Sequence, residues 1–407
     1  MKKKLIRMFA WLQNTWSIIG ITLLLFVCIE FSLSFFYKGL DWKKFHEFQS
    51  GADTYTESPW VNAYFKELST AMTFHWRPYV CWRGAPHSGE HINIDNNGVR
   101  KTWNPDIQPD DPDVYNIFLF GGSPIWGWGA RDDFTIPSLV SKILFQNNIK
   151  ARITNFGQIG YVTSQEVICL IEEIKKGNIP DLVIFYNGFN DIMTAGYYKE
   201  SGEMIKGLCL GMTSMADATL ITRVHKKSIA DFAVTSFLAD INNSLKKAIS
   251  PSQDPNQEEA AREMEKEGAA ALSGSIIRNY RENIKIIETL SKKYSFQPLF
   301  YLQPAIFEKK KLSAFEQTYL DTQTIFNDKG FDQFYMLTTA LLKNVFQSNG
   351  TPNMSFDISS IFNDNDTPIF IDAAHLGETG NAYIARELAS DLLSHIRQHH
   401  AASPPSN

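Results

Sequence analysis

The chain has 407 residues, 44% hydrophobic and 13% aromatic, enough for one large domain with a buried core plus an appendage, so disorder of the whole is excluded. Lys and Arg number 39 against 44 Asp and Glu, for a formal net charge of -5, and no long basic run lies beyond the extreme N-terminus, which argues against nucleic acid as a partner. The four cysteines, Cys28, Cys81, Cys169 and Cys209, form no CxxC or Cys/His cluster, so a zinc site has no support; one bridge among Cys81, Cys169 and Cys209 stays open.

Residues 1–15 are basic, with Lys2, Lys3, Lys4 and Arg7 ahead of an apolar run from Trp16 to Tyr37. That run has the length needed to span about 30 Å of hydrocarbon as a helix. It predicts a transmembrane helix over 16–37, with the N-terminus held in the cytoplasm and the remainder outside, in the periplasm or at the cell surface. Bulky Phe35, Phe36 and Tyr37 stand where a cleaved signal peptide has small residues. Glu30 lies toward the outer end of the run, where a carboxylate costs least.

Residues 38–112 read as a stalk and an aromatic-rich packing segment (Trp42, Trp60, Tyr64, Phe74, Trp76, Tyr79, Trp82) without sustained helical or strand periodicity. Within it, HINIDNNGVRKTW alternates apolar and polar residues around Asn-Asn-Gly and predicts a small hairpin. From Val114 the pattern becomes apolar runs, each followed by a helix-period segment, as in a parallel sheet with crossover helices. The expected strands are VYNIFLF, ARITNF, DLVIFY, QPLFYLQP and PIFI. The expected helices include one opening at Thr135 and Pro137, one opening with Thr163 and Glu166 at capping-box spacing, one around Ile277–Ile287, and a closing helix with Ile384, Leu388 and Leu392 on one stripe. Residues 197–273 interrupt the alternation and predict a helical insertion, with a charged helix EEAAREMEKEGAAAL at its end. The polar, Pro-containing tail, 398–407, is expected to be disordered.

In an open parallel sheet, ligands bind where loops leave the carboxyl ends of the strands. Ser123 follows the first expected strand, Gly157 and Gly160 the second, Asn190 and Asp191 the third, and Asp372 with His375 the last. A serine hydroxyl needs a histidine to take its proton and a carboxylate to orient that imidazole. Asp372 and His375 supply both from one loop, which makes Ser123, Asp372 and His375 the candidate catalytic residues. The oxyanion of acyl transfer needs donors set in advance. The backbone amides of Ser123 and Gly160 and the side-chain amide of Asn190 are the candidates. Asp191 is assigned to capping, Gly157 to a tight turn, and Trp126, Trp128 and Gln303 to contact with substrate or to packing.

The four segments resemble the blocks of the SGNH/GDSL hydrolase superfamily. GGSPIWGWG resembles its first block, GQIGY its second, NGFND its GxND block and DAAH its DxxH block, in the family's order over about residues 113–397. The departure is Gly122, where many members carry aspartate. The resemblance implies a three-layer α/β/α, flavodoxin-like domain with a mostly parallel sheet, and a serine esterase or acyltransferase needing no metal or organic cofactor. Three functions follow as expectations: hydrolysis of an O-acyl group, O-acetyl first, on a cell-surface or periplasmic glycan; transfer of the same acyl group to a polysaccharide; or a catalytically inactive domain that binds glycan or a protein partner.

Overall fold

The computed structural model describes residues 15–16, 20–22, 24–25, 47–107, 111, 114–198, 255–322, 329–347 and 354–402. The chain divides into two compact units, Met1–Phe48 with Thr219–Glu258 and Gln49–Ala218 with Glu259–Asn407. Few residues of the first are described, and the architecture below is that of the second. The expected membrane span, 16–37, and most of the insertion, 197–273, lie outside the described residues. Among the described residues no helix is long and apolar enough to cross a membrane.

The segment 49–107 is built onto the domain. Helix α1 (Val61–Ala71), where no helix is expected from the sequence, buries Val61, Tyr64, Phe65, Leu68 and Ala71, a spacing of three and four that the surrounding aromatics mask. The antiparallel pairs β1 (Phe74–Arg77) with β2 (Cys81–Gly84), and β3 (His87–Ser88) with β4 (Asn93–Ile94), follow. The expected Asn-Asn-Gly turn is present: Asp95 Oδ1 accepts the backbone N–H of Asn97 and of Val99, Gly98 takes φ +75°, and Ile94 bridges Arg100 across the turn.

The central sheet has five parallel strands, β5 (Tyr115–Gly121), β6 (Ala151–Asn155), β7 (Leu182–Asn187), β8 (Gln297–Leu302) and β9 (Ser355–Asp357), in the spatial order β6-β5-β7-β8-β9. With the strands counted from β5, this is the flavodoxin-like order 2-1-3-4-5, whose topological switch point lies between the ends of β5 and β7. Strand alternation divides the core. Phe118, Phe120, Val183, Phe185, Phe300 and Leu302 face the layer formed by α4 (Thr163–Lys175), α6 (Pro255–Tyr294) and α8 (Lys329–Gln347). Phe120, Phe185 and Phe300 stack in a row across three strands. On the opposite face, Tyr301 donates to Asp391 of α9 (Glu378–Ala402), which packs against α3 (Ile136–Gln146).

Several elements differ from their sequence expectation. Thr135 caps α3 by accepting the N–H of Ser138, as its position implied. In α4 the N-cap is Val162; Gln165 Oε1 accepts its N–H, and the expected Thr163–Glu166 box does not form because both side chains turn toward β7 and its exit loop. The charged helix and the helix around Ile277–Ile287 are one, α6, since no proline interrupts the segment after Pro255. The closing helix α9 runs through Ala402, into the segment expected to be disordered.

The largest departure is PIFI, residues 368–371. The fifth strand is instead Ser355–Asp357, and PIFI is not a strand. Its backbone has another partner: Glu316 of α7 (Ala314–Thr322), fully buried, accepts the N–H of Ile369 and of Phe370 on Oε1, and Lys309, equally buried, on Oε2 at 2.5 Å. A side-chain carboxylate thus does what a neighbouring strand would have done. The chain then doubles back, with Ile371 N–H donating to His375 O and Gly377 N–H to Ile369 O, so that Asp372–His375 forms the tip of a tight loop. Glu316→Ala would leave the Lys309 ammonium buried and unpaired, at a cost of roughly 3–5 kcal/mol. Denaturant unfolding is expected to show an unfolding free energy lower by that amount, with the Lys309→Met/Glu316→Leu double variant recovering only the part due to the unpaired ammonium, since the N–H groups of Ile369 and Phe370 still lose their acceptor.

Candidate active site

Ser123 is the first residue of a four-residue helix, α2 (Ser123–Trp126), which begins one residue beyond the end of β5. At that position its N–H has no intrahelical acceptor and points out of the helix start. Two glycines make the approach possible through space. A Cβ on Gly122 would come within 2.3 Å of Asn190 Nδ2, and one on Gly157 within 2.3 Å of the backbone nitrogen of Trp126. Gly122 has φ -77°, open to any residue, and a side chain there would have to displace the Asn190 amide.

The loop after α2, Trp126–Ala130, is held by residues 55–100. Arg100, fully buried, donates Nη1 to the carbonyls of Trp126 and Gly127, Nη2 to Ala130 O, and Nε to Asp132 Oδ1 at 3.0 Å, while its guanidinium lies 4.4 Å from the Trp126 ring centroid. Tyr64 donates to Gly127 O and accepts from Gly129 N–H; Tyr55 donates to Gly129 O at 2.6 Å. Sequence reasoning missed Arg100, because one arginine in a hairpin has no motif around it.

The PIFI loop brings His375 onto Ser123. His375 Nε2 lies 2.6 Å from Ser123 Oγ, and its Nδ1 lies 2.5 Å from Asp372 Oδ2. Asp372 Oδ1 accepts the backbone N–H of Ala374 and of His375. Burial by itself would raise the Asp372 carboxyl, but the adjacent His375 ring and these hydrogen bonds outweigh it and hold the group below its ordinary value. A further donor comes from a residue the sequence did not single out. Gln49, fully buried, donates Nε2 to Asp372 Oδ2 at 2.6 Å and accepts from Trp128 Nε1 at 3.2 Å. The Trp128 ring stacks on the His375 ring, with centroids 5.0 Å apart and planes 22° apart.

Asn190, at the start of α5 (Phe189–Tyr198), links the other two candidate oxyanion donors. Its amide lies against Gly122, next to Ser123, and donates to the carbonyl of Tyr161, next to Gly160, at 2.8 Å. Gly160 takes φ +74°, a conformation that favours glycine, and among the described residues its N–H has no acceptor.

Beneath this loop cluster lie two buried carboxyls. Asp191 accepts the N–H and hydroxyl of Thr163 and so caps α4, the helix before it, rather than its own. Glu166 accepts Asn187 Nδ2 at 2.9 Å and among the described residues leaves Oε1 without a partner, while Tyr280 donates to Asn187 Oδ1. Burial pushes Asp191 up to about 6 against the Thr163 hydrogen bonds. Burial first, then the charge of Asp191, pushes Glu166 well above the carboxylate range, against its bond from Asn187. A carboxyl raised in the fold favours the neutral form there: its contribution is full below the unfolded pKa, about 4, and is lost as pH rises through the folded value. These two groups are therefore expected to lower Tm as pH rises from about 4 to 7. Glu166→Gln, followed by calorimetry across that range, should flatten the decline.

Trp126 is 1% exposed with Arg100 over its ring, so it packs the loop rather than presenting a face to a sugar. Gln303, just beyond β8, is buried, and its Nε2 has no hydrogen-bond partner among the described residues. Cys169 is a buried free thiol, and Cys81 is disulfide-bonded. Among the described residues no group of three or more His, Cys, Asp or Glu is placed to hold a metal ion.

No family model matches the chain, and no curated protein matches it. Among solved structures it is similar to the acetyl xylan esterase AlAXEase, at 13% identity and TM-score 0.34, over 69% of this chain and 99% of that one. It is also similar to a member of the lipolytic protein G-D-S-L family from Veillonella parvula (12%, TM-score 0.36, 68% and 97% of the two chains). A third is Axe2, an acetylxylan esterase from Geobacillus stearothermophilus (13%, TM-score 0.33, 68% and 94%). Similarity at this level does not bear on what this chain does, which rests on its own residues. Those residues form four blocks, in the order that the SGNH/GDSL resemblance implies, around one hydrogen-bonded Ser123–His375–Asp372 constellation at the switch point of a parallel sheet.

Proposed function

We propose that the chain is a serine ester hydrolase working through an acyl-enzyme on Ser123. The observation that carries this reading is the continuous line from Ser123 Oγ through both ring nitrogens of His375 to Asp372 Oδ2, at 2.6 and 2.5 Å. Ser123 Oγ attacks the ester carbonyl while His375 Nε2 takes its proton, and Asp372 stabilises the imidazolium that forms. The oxyanion is received by the N–H groups of Ser123 and Gly160 and by the Asn190 hydrogen not given to Tyr161, since a carboxamide nitrogen carries two. Collapse breaks the ester C–O bond, His375 returns the proton to the leaving alkoxide, and water, deprotonated by His375, resolves the acyl-enzyme. The unpartnered Gln303 amide at the β8 exit is a donor for the substrate.

The substrate class we infer is an O-acetylated glycan outside the membrane, and the support for it is the basic-then-apolar N-terminus, which reads as an anchor with the catalytic domain extracytoplasmic. Transfer of the acetyl group to a sugar hydroxyl is a second reading, favoured by the seclusion of Ser123, 7% exposed beside the stacked Trp128–His375 pair.

With p-nitrophenyl acetate, Ser123→Ala and His375→Ala are each expected to bring turnover down to the uncatalysed rate, and Asn190→Ala to lower kcat by about 100 to 1,000-fold. Folded variants that turn over the ester as fast as the parent chain would overturn the reading. Adding glycan acceptors separates the two outcomes, since release of free acetate alone would exclude transfer.

A further inference from the structure

We infer that Gln49 is a positioning residue for the triad, setting the orientation and basicity of the Asp372–His375 pair; this rests on the hydrolase reading above. The carboxamide is buried and both its ends are used. Nε2 donates to Asp372 Oδ2, the same oxygen that faces His375 Nδ1, and Oε1 accepts the indole N–H of Trp128, whose ring stacks on that imidazole. Gln49 thereby closes a ring of four side chains: Trp128 presses the face of His375, His375 bonds Asp372, Asp372 bonds Gln49, and Gln49 bonds Trp128.

The arrangement has two consequences for the chemistry. A second donor on Oδ2 draws charge from the oxygen that faces the imidazole, which weakens that oxygen's pull on a cationic ring. The link to Trp128 ties the plane of the imidazole to the carboxylate, so the ring cannot tilt without straining the Gln49 bonds. The charged and titratable groups facing Asp372 across this packing are His375, Tyr55 and Tyr319.

The test uses the full chain and its Gln49→Ala, Trp128→Phe and double variants, with Ser123→Ala as reference. Two quantities are measured across pH: the rate of covalent labelling by a fluorophosphonate, and kcat and KM for p-nitrophenyl acetate, each normalised to folded protein. Gln49→Ala is expected to slow labelling and kcat together by about 10 to 100-fold with KM nearly unchanged, and to move the acid limb of the pH profile upward. Trp128→Phe, which keeps the stacking ring but loses the N–H, should show a smaller loss. The double variant should be no worse than Gln49→Ala, as expected for one connected unit. Ser123-dependent labelling that is indifferent to Gln49, a loss with the pH profile unmoved, or strictly additive losses would overturn this role and leave the hydrolase reading standing. Absence of Ser123-dependent labelling in the parent chain would overturn the hydrolase reading itself, and this role with it.

Discussion

The site is organised around one buried anion, the carboxylate of Asp372. A charge removed from water must be returned its hydrogen bonds by the protein, or the group neutralises. Asp372 receives four: two backbone N–H groups of its own loop, the imidazole of His375 and the amide of Gln49. Those requirements decide much else. The loop must double back tightly enough to aim its own amides at Oδ1, which Glu316 secures by taking the backbone of Ile369 and Phe370 out of any strand. Residue 49 must reach the carboxyl end of the sheet, and Tyr55, Tyr64 and Arg100 of the same segment bond the loop that follows Ser123.

What the sequence disclosed and what it concealed divide along a physical line. Ser123, Gly160 and Asn190 are legible because each sits in a short segment at a strand exit, and Asp372 and His375 because they stand three apart on one tight loop, so that residue type and local spacing report the role. Four of the five strands are legible for the same reason, as apolar runs with local boundaries. Gln49, Arg100 and Glu316 act through side chains on partners remote in sequence, Gln49 on a residue 323 positions away, and nothing adjacent to them marks it. PIFI shows the converse error. Its composition is that of a buried strand, and burial is what it has, but a carboxylate satisfies the backbone in place of a ladder. Helix α1 was written in the spacing of Val61, Tyr64, Phe65, Leu68 and Ala71, and the surrounding aromatics obscured it.

Gly122 looks like decay in the linear pattern, since a carboxylate is replaced by hydrogen. In the folded chain it is the space occupied by the Asn190 amide. A side chain at 122 would have to displace the Asn190 amide from its present place beside the turn. The same amide bonds Tyr161 O in the turn after β6, and that turn is joined to the one after β5 by the Gln158 N–H on Gly121 O and by Asn155 Nδ2 on Ile125 O.

The 252 positions between Ser123 and His375 give the site a history in time. As the chain is synthesised, the nucleophile and the glycine turns emerge long before the imidazole, and a serine without its base is as inert as any alcohol. Gln49 emerges earlier still and waits for a carboxylate that arrives almost at the end. Contacts of such long range form late, because the loop they close must first be ordered. On the hydrolase reading, a reagent that labels Ser123 would therefore count only chains in which His375 has reached it across those positions.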